Sequence, residues 1–568
     1  MTNYQFTGGT ICAPATIPGT GAISIIRVSG KESLAIADKV IDTKGVPIAE
    51  TEGYRLRYGT VFEADGSVLD NVIVSVFRAP HSYTGENSVE ISCHASRFIV
   101  NKILELLVNA GASIAAPGEF TRRAFVNGKM DLAQAEAVAD VIASQSAASH
   151  RVAMNQLKGG FSSELKVLRE KLLTMTSLLE LELDFSEEDV EFASRKELGQ
   201  LVDDSLTHIG RLTASFSRGN AIKNGIPVAI VGATNTGKST LLNALLGEER
   251  AIVSDIAGTT RDTIEETLNI DGILFRFIDT AGIRETDETI EKIGIDRTFK
   301  KLGEAAVVLG MTDLSRGEAA VLEDADFILS KVNEMGGVKN VGTENDGAET
   351  GGASPAETDG ASLAETSGES LAETDRTSRS ETGGTPPAET GGASQHGHGD
   401  GQERKVVILV NKCDVAGDFY RDDGGTGYGS GNDLGENMAE IGDNKNVNHN
   451  NNIVSLIENK YDNCKVIPIS AKTGKGLSTL TKTLGEIGSE ITGSTDETLV
   501  TNVRHYEALV RAASALERVR AGLHIATLPP DLIAQDLREA LYHLGEIVGE
   551  ITTDETLGNI FRNFCIGK

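Results

Sequence analysis

The chain has 568 residues, 39% hydrophobic and 24% charged, so it is too long for a single core and apolar enough for most of it to fold. Lys plus Arg total 53 against 83 Asp plus Glu, a formal net charge of -30, which excludes non-specific coating of nucleic acid but not a local basic patch for a specific RNA. No apolar run reaches the roughly 18 residues that span a bilayer. The start MTNYQFTGGT has no leader-like region, and the cysteines form neither a CxxC knuckle nor a disulfide framework. A multidomain cytoplasmic protein is expected, with no membrane partner.

Residues 1–120 alternate short β-prone runs with turns. Ala22–Val28 and Val72–Phe77 read as strands, and Ile99–Val108 as a helix stopped by Asn109-Ala110-Gly111. From about 129 the period becomes 3.6, with Leu132, Ala135, Val138, Ala139 and Ile142 on one face, and long helices are predicted through 161–216. Helical patterning returns at 502–524 and 530–548, around a block at about 225–490 with its own α/β rhythm. Within that block, Glu-Thr recurs every eight residues from Glu349 to Thr390, in a tract (341–400) holding 12 acidic and 2 basic side chains. It has no apolar repeat from which to build a solenoid face, so it reads as a disordered acidic insert, about 330–403 in all. A Gly/Asn/Asp-rich stretch at about 416–452 reads as a long loop. The predicted organisation is an amino-terminal domain (1–125), a helical domain split between 126–220 and 491–568, and a nucleotide-binding domain (221–490) inserted into it.

Pro227–Val231 is an apolar strand running into Gly232-Ala233-Thr234-Asn235-Thr236-Gly237-Lys238-Ser239 and then the helical TLLNALLG beginning at Thr240. This is G-x-x-x-x-G-K-S in strand–loop–helix context, where glycines let the backbone wrap phosphates, Lys238 places a point charge between β- and γ-phosphate, and Ser239 offers a hydroxyl to Mg2+. Asp279-Thr280-Ala281-Gly282 follows a second strand, its carboxylate suited to hold the metal through water and the Gly282 amide to sense the γ-phosphate. Asn411-Lys412-Cys413-Asp414 follows a third strand, and Asp414 offers a carboxylate to the N1–H and 2-amino group of guanine. Ser470-Ala471-Lys472 follows a fourth and braces the base from the other side. This order specifies guanine over adenine and predicts an inserted P-loop GTPase domain of Ras-like α/β type.

The residue after Gly282 is Ile283, not the Gln that orients water in Ras-like enzymes. Between the first two motifs lies Ser254-Asp255-Ile256-Ala257-Gly258-Thr259-Thr260-Arg261-Asp262. Thr260 is the natural second hydroxyl ligand to Mg2+, and the carbonyls of this segment, with the side-chain oxygen of Asn235, suit a monovalent cation beside the phosphates. Among Glu285, Glu288 and Glu291, proximity in sequence does not choose a water-orienting carboxylate.

Asn235, the segment Ser254–Asp262 and the terminal Phe564-Cys565-Ile566-Gly567-Lys568 resemble the MnmE (also called TrmE) family of tRNA wobble-uridine modification GTPases. The amino-terminal Pro18-Gly19-Thr20-Gly21, Ile25–Gly30, Ser82-Tyr83-Thr84-Gly85-Glu86 and Pro117–Glu136 agree. The resemblance covers everything but the two soft tracts. It implies a folate-binding, aminomethyltransferase-like amino-terminal domain that dimerises, the split helical domain and the inserted GTPase domain. It further implies 5,10-methylenetetrahydrofolate or 5-formyltetrahydrofolate bound by Arg27, Glu86, Lys129 and Lys568, each of which alone reads as a surface charge. K+ would be held by Asn235, Ser254, Ile256 and Thr259, and water oriented by Glu291, with Lys238 the other catalytic group. Cys565 would lie beside the folate as a structural or a functional thiol.

The resemblance also implies a partner, a flavin-dependent protein of the MnmG/GidA type that carries FAD and forms a heterotetramer with the homodimer. Together they would add a (carboxymethyl)aminomethyl group to C5 of uridine 34 in tRNA. Asn87, His94-Ala95-Ser96 and the two tracts depart from the family pattern, and Gly310 inside a strand is expected to cost stability. A ribosome-assembly switch GTPase would share the nucleotide motifs without needing Arg27, 117–136 or the terminal motif. A GTP-dependent structural dimer would not bind folate.

Overall fold

The computed structural model describes residues 8–184, 194–249, 266–278, 303–334, 404–414, 450–461, 464–493, 497–524, 529–562, 564 and 567. The first sheet has seven strands: β1 (Ile11–Pro14), β2 (Ile23–Ser29), β3 (Ile41–Asp42), β4 (Arg55–Phe62), β5 (Val68–Phe77), β6 (Ser88–His94) and β7 (Ser113–Ile114), in the order β3-β4-β5-β6-β2-β1-β7. Its pairings are antiparallel except β1 with β7. Side chains alternate across each strand. Ile26, Val28, Val74, Val76, Val89 and Ile91 point into a core shared with the helices Ser33–Val40 and Arg97–Asn109. The other face carries Arg27 and Glu90, which are direct cross-strand partners, with Leu56, Tyr58 and Ile73 exposed farther along.

The second sheet has six strands: β8 (Ile226–Gly232), β9 (Glu266–Ile270), β10 (Ile273–Ile278), β11 (Val307–Asp313), β12 (Lys405–Asn411) and β13 (Cys464–Pro468), ordered β13-β12-β11-β8-β10-β9. All neighbours are parallel except the edge strand β9. Parallel strands covered on both faces read as continuous apolar runs, which explains VAIV and VVILV. Val228, Ile230, Leu309 and Val407 face the helices Lys238–Glu249 and Leu477–Thr492, while Ala229, Val231, Val308 and Ile408 face Glu318–Glu334 and Asn450–Lys460. The strand order reverses about β8, so the carboxyl end of β8 opens on the crevice where α/β sheets bind ligands.

Gly310 has a role other than the one its residue type suggests. A Cβ there would stand 2.6 Å from Ile408 Cδ1 and 3.1 Å from Ile328 Cγ2, so the bare backbone is what lets β11 meet β12 and its covering helix. The covering helix runs on to Glu334, past the expected start of the insert, and Asn450–Lys460 begins before the expected end of the second loop. The eight-residue repeat lies outside the described residues.

The helices Gly160–Asp184, Arg195–Asn224, Val503–Leu523 and Pro530–Val548 share one core through Leu165, Leu172, Ile209, Leu509, Leu516 and Leu544. In the helix Leu132–Ala143 the predicted face holds at Leu132 and Ala135, both fully buried, but not at Ile142, which is 46% exposed, and the buried surface also takes in Ala133, Glu136 and Ala137. The reason is polar. Arg504 donates to both oxygens of Glu136, each at 2.9 Å, and His505 Nε2 lies 2.7 Å from Oε2. This network places a carboxylate within the buried face of the helix. Arg504 also caps the helix Pro530–Val548 by donating to the carbonyls of Glu546 and Ile547. No helix among the described residues is long and apolar enough to cross a membrane.

Candidate functional site

β8 delivers the chain into the 232–239 loop, and the helix Lys238–Glu249 carries it away. The loop needs unusual backbone. Gly237 has φ +99°, Asn235 has φ +62°, and a Cβ on Gly232 would strike the Met311 carbonyl. Lys238 Nζ donates to the carbonyls of Gly232 (2.9 Å) and Ala233 (2.8 Å), curling over the loop, and its burial lowers its pKa. A lysine partly stripped of water gains more from a phosphate than an exposed one does. Thr236 is buried and its hydroxyl donates to Ala233 O, while Asn235 and Thr240 are exposed and Ser239 is half-buried.

The loop is stitched to the neighbouring strand ends. Asn411, 3% exposed, donates from Nδ2 to Thr236 O (2.7 Å) and accepts the Ala471 N–H on Oδ1 (3.0 Å). Lys412, in a left-handed conformation (φ +66°), reaches Asp313 Oδ2 at 2.7 Å. Burial would raise the Asp313 pKa, but hydrogen bonds from Lys412 and Ser315 outweigh it and hold the carboxyl low. The Asp414 carboxyl, exposed beside them, is held below its ordinary value by a hydrogen bond with Ser470, and Lys472 adds charge nearby. The structure therefore brings Asn235 through Thr240, Asn411, Lys412, Asp414, Ser470, Ala471 and Lys472 to one end of the sheet. Ser254 through Thr260, Asp279 through Gly282 and Glu291 lie outside the described residues. Asp313 was given no role from sequence, although an acid ending an apolar strand was a usable signal.

A second constellation lies on the first sheet. Arg27 pairs with Glu90 at 2.9 Å, and its guanidinium lies 5.2 Å from the Tyr83 ring centre and 5.6 Å from that of Phe120. It also donates to Gly567 O at 3.4 Å, so the end of the chain returns to β2. Glu86 accepts from the Ser29 hydroxyl at 2.8 Å and from Arg123 on both oxygens at 3.2 Å. Arg123 is 1% exposed and also donates to Glu119 at 2.8 Å. Lys129 donates to Pro80 O at 3.0 Å, its stem lying against Gly85. Arg27, Glu86 and Lys129 thus gather around the 82–86 loop, while Lys568 and Cys565 lie outside the described residues. Sequence reasoning gave no role to Glu90, Arg123 or Glu119, although the i,i+4 spacing of Glu119 and Arg123 was visible. Asn87, a departure from the family pattern, is absorbed locally, its Oδ1 accepting the Ala79 N–H at 3.0 Å.

The parallel sheet with this loop at its switch point defines a P-loop nucleotide-binding protein. Residues 10–129 match the model of the GTP-binding protein TrmE N-terminus, and 132–565 that of the MnmE helical domain. The chain is 43% identical over 562 residues to tRNA modification GTPase MnmE of Parabacteroides distasonis, covering 98% of this chain and 100% of the relative. The protein of the same description from Bacteroides thetaiotaomicron is 42% identical over 562 residues (98% and 99%), and that from Flavobacterium johnsoniae 42% over 560 (98% and 99%). The chain belongs to the MnmE family.

Proposed function

We infer that this chain is a GTP hydrolase acting in tRNA modification. The observation that carries the reading is the clasp through Asn411, which ties the phosphate loop at Thr236 to Ala471 and so couples phosphate binding to the base-reading strand ends. Lys238 neutralises the β/γ-phosphates, Asp414 reads guanine, and Asn411, Ala471 and Lys472 shape the base pocket.

Metal ions belong to the proposal, and the donor chemistry fits them. Ser239 offers a hydroxyl at the helix start beside Lys238, and Asn235 offers an amide oxygen at the exposed loop tip. Ser239 with Thr260 would hold Mg2+, and Asn235 with Ser254, Ile256 and Thr259 would hold K+. When bound, the ions supply positive charge to the departing phosphate. Glu291 would orient the water.

The folate reading is supported by Arg27, Glu86 and Lys129 meeting around one loop, with Arg27 also donating to the Gly567 carbonyl. Tetrahydrofolate carries carboxylates that Arg27, Lys129 and Lys568 would meet. The product, an aminomethyl-type group on uridine 34, would be installed by a homodimer working with the FAD-bearing partner. The domain reading (1–125, 126–220 with 491–568, and 221–490) is part of the same proposal.

Displacement of a fluorescent guanine nucleotide tests the reading. GDP is expected to compete and ADP not to, with Asp414→Asn losing about 100-fold in GDP affinity as a charge-assisted pair to the base goes. Equal competition by ADP and GDP would overturn it.

A further inference from the structure

The helix Ala147–Leu157 forms one wall of a cleft of about 940 Å³ that Asn269 of β9 closes on the other side. Among the described residues, none of the side chains lining it is acidic, in a chain of net charge -30. His150, Arg151 and Lys158, all exposed, lie along it with Met154 and Asn155. At ~100° per residue these helix positions fall within a sector of about 140°, so one face of the helix is polar and basic. Gln145 and Asn155 add amide groups.

The cleft also lies across a junction. Asn269 Nδ2 donates to Gln145 O at 3.0 Å, and the Ala148 N–H to Gly272 O at 3.3 Å. These bonds join the helical region to the β9–β10 hairpin of the nucleotide-binding sheet. The start of the helix itself is satisfied, since Ser146 and Ser149 cap each other's backbone, and the cleft's character comes from its side chains.

We propose that this cleft receives the phosphodiester backbone of RNA, with Arg151 and Lys158 meeting phosphates and the amides of Gln145 and Asn155 meeting ribose hydroxyls. The proposal rests on the tRNA-modification reading and adds where the RNA docks. An overall acidic chain repels RNA at long range, so docking needs a surface where the sign of charge is locally reversed. Among the described residues Met154 is the one large apolar side chain in the lining, a poor anchor for a protein partner or a lipid surface. RNA held there would touch both the helical region and the hairpin of the nucleotide-binding sheet.

The test is equilibrium binding of the full chain to an unmodified tRNA transcript across a salt series. The variants are the Arg151→Glu/Lys158→Glu and Arg151→Gln/Lys158→Gln doubles. Charge reversal is expected to weaken binding at least ~10-fold and to lower the salt slope by more than about 1.4–1.8, the share of two phosphate contacts that neutralisation alone removes. The neutral pair should fall between, with RNA-free GTP turnover unchanged in both. Wild-type binding that both variants retain, with the same affinity and slope, overturns the proposal alone. A wild-type chain that binds no tRNA overturns it together with the tRNA reading.

Discussion

Lys412 holds a left-handed backbone, uncommon for a residue with a long side chain, and Asp313 is what its ammonium gains there. Replacing Asp313 by Asn removes the charge but keeps the shape. It should cost about 10-fold in GDP affinity, one charge-assisted hydrogen bond's worth, while GTP keeps its advantage over ATP. Titration with a fluorescent GDP analogue measures it. At the other constellation, Arg27→Ala should weaken 5-formyltetrahydrofolate binding at least ~10-fold, because removing it also leaves Glu90 unpaired. Calorimetry with that ligand reads the loss. The phosphate-loop residues were legible because their chemistry is local: a strand, a loop and a helix in sequence order. Asp313, Glu90 and Arg123 were not, because each matters through a partner far away in the chain.

At the scale of elements, β11 shows how a residue type misleads. Glycine in a strand ordinarily weakens it. Here the space is already taken by Ile328 and Ile408, so Gly310→Ala should destabilise the protein by about 1–3 kcal/mol through overpacking. Urea unfolding is the check. The strands of the second sheet were readable as apolar runs because both faces are buried. The helix Leu132–Ala143 was readable as a helix, and in its facing at Leu132 and Ala135, but apolar periodicity does not anticipate a buried carboxylate such as Glu136. A search for acids at core positions with arginine or histidine elsewhere would have flagged Glu136 without naming its partners.

For the whole molecule, the Glu136–Arg504–His505 network joins segments more than 360 residues apart in sequence. Burial by itself would raise the Glu136 pKa, but His505 and then Arg504 outweigh it and bring it down to about 2 from 4.5. The folded state therefore binds fewer protons than the unfolded chain between those values. The stability contributed is fully present above about pH 4.5 and is lost as pH falls towards 2. Glu136→Gln should destabilise the protein by about 3–5 kcal/mol at pH 7, and its deficit against wild type should shrink as the pH is lowered through this window. Paired chemical denaturation at several pH values measures both. Two blocks of helical patterning suggested that distant segments belong together, but only the packed structure pairs Leu509 with the Leu172 cluster and Arg504 with Glu136.

The most direct test of the central claim is phosphate release from GTP and from ATP by the full chain, at matched ionic strength in KCl and NaCl, beside Lys238→Ala. The account predicts release from GTP and not ATP, faster in KCl, and abolished by Lys238→Ala. Turnover that treats ATP as it treats GTP, or that survives the loss of Lys238, would contradict it.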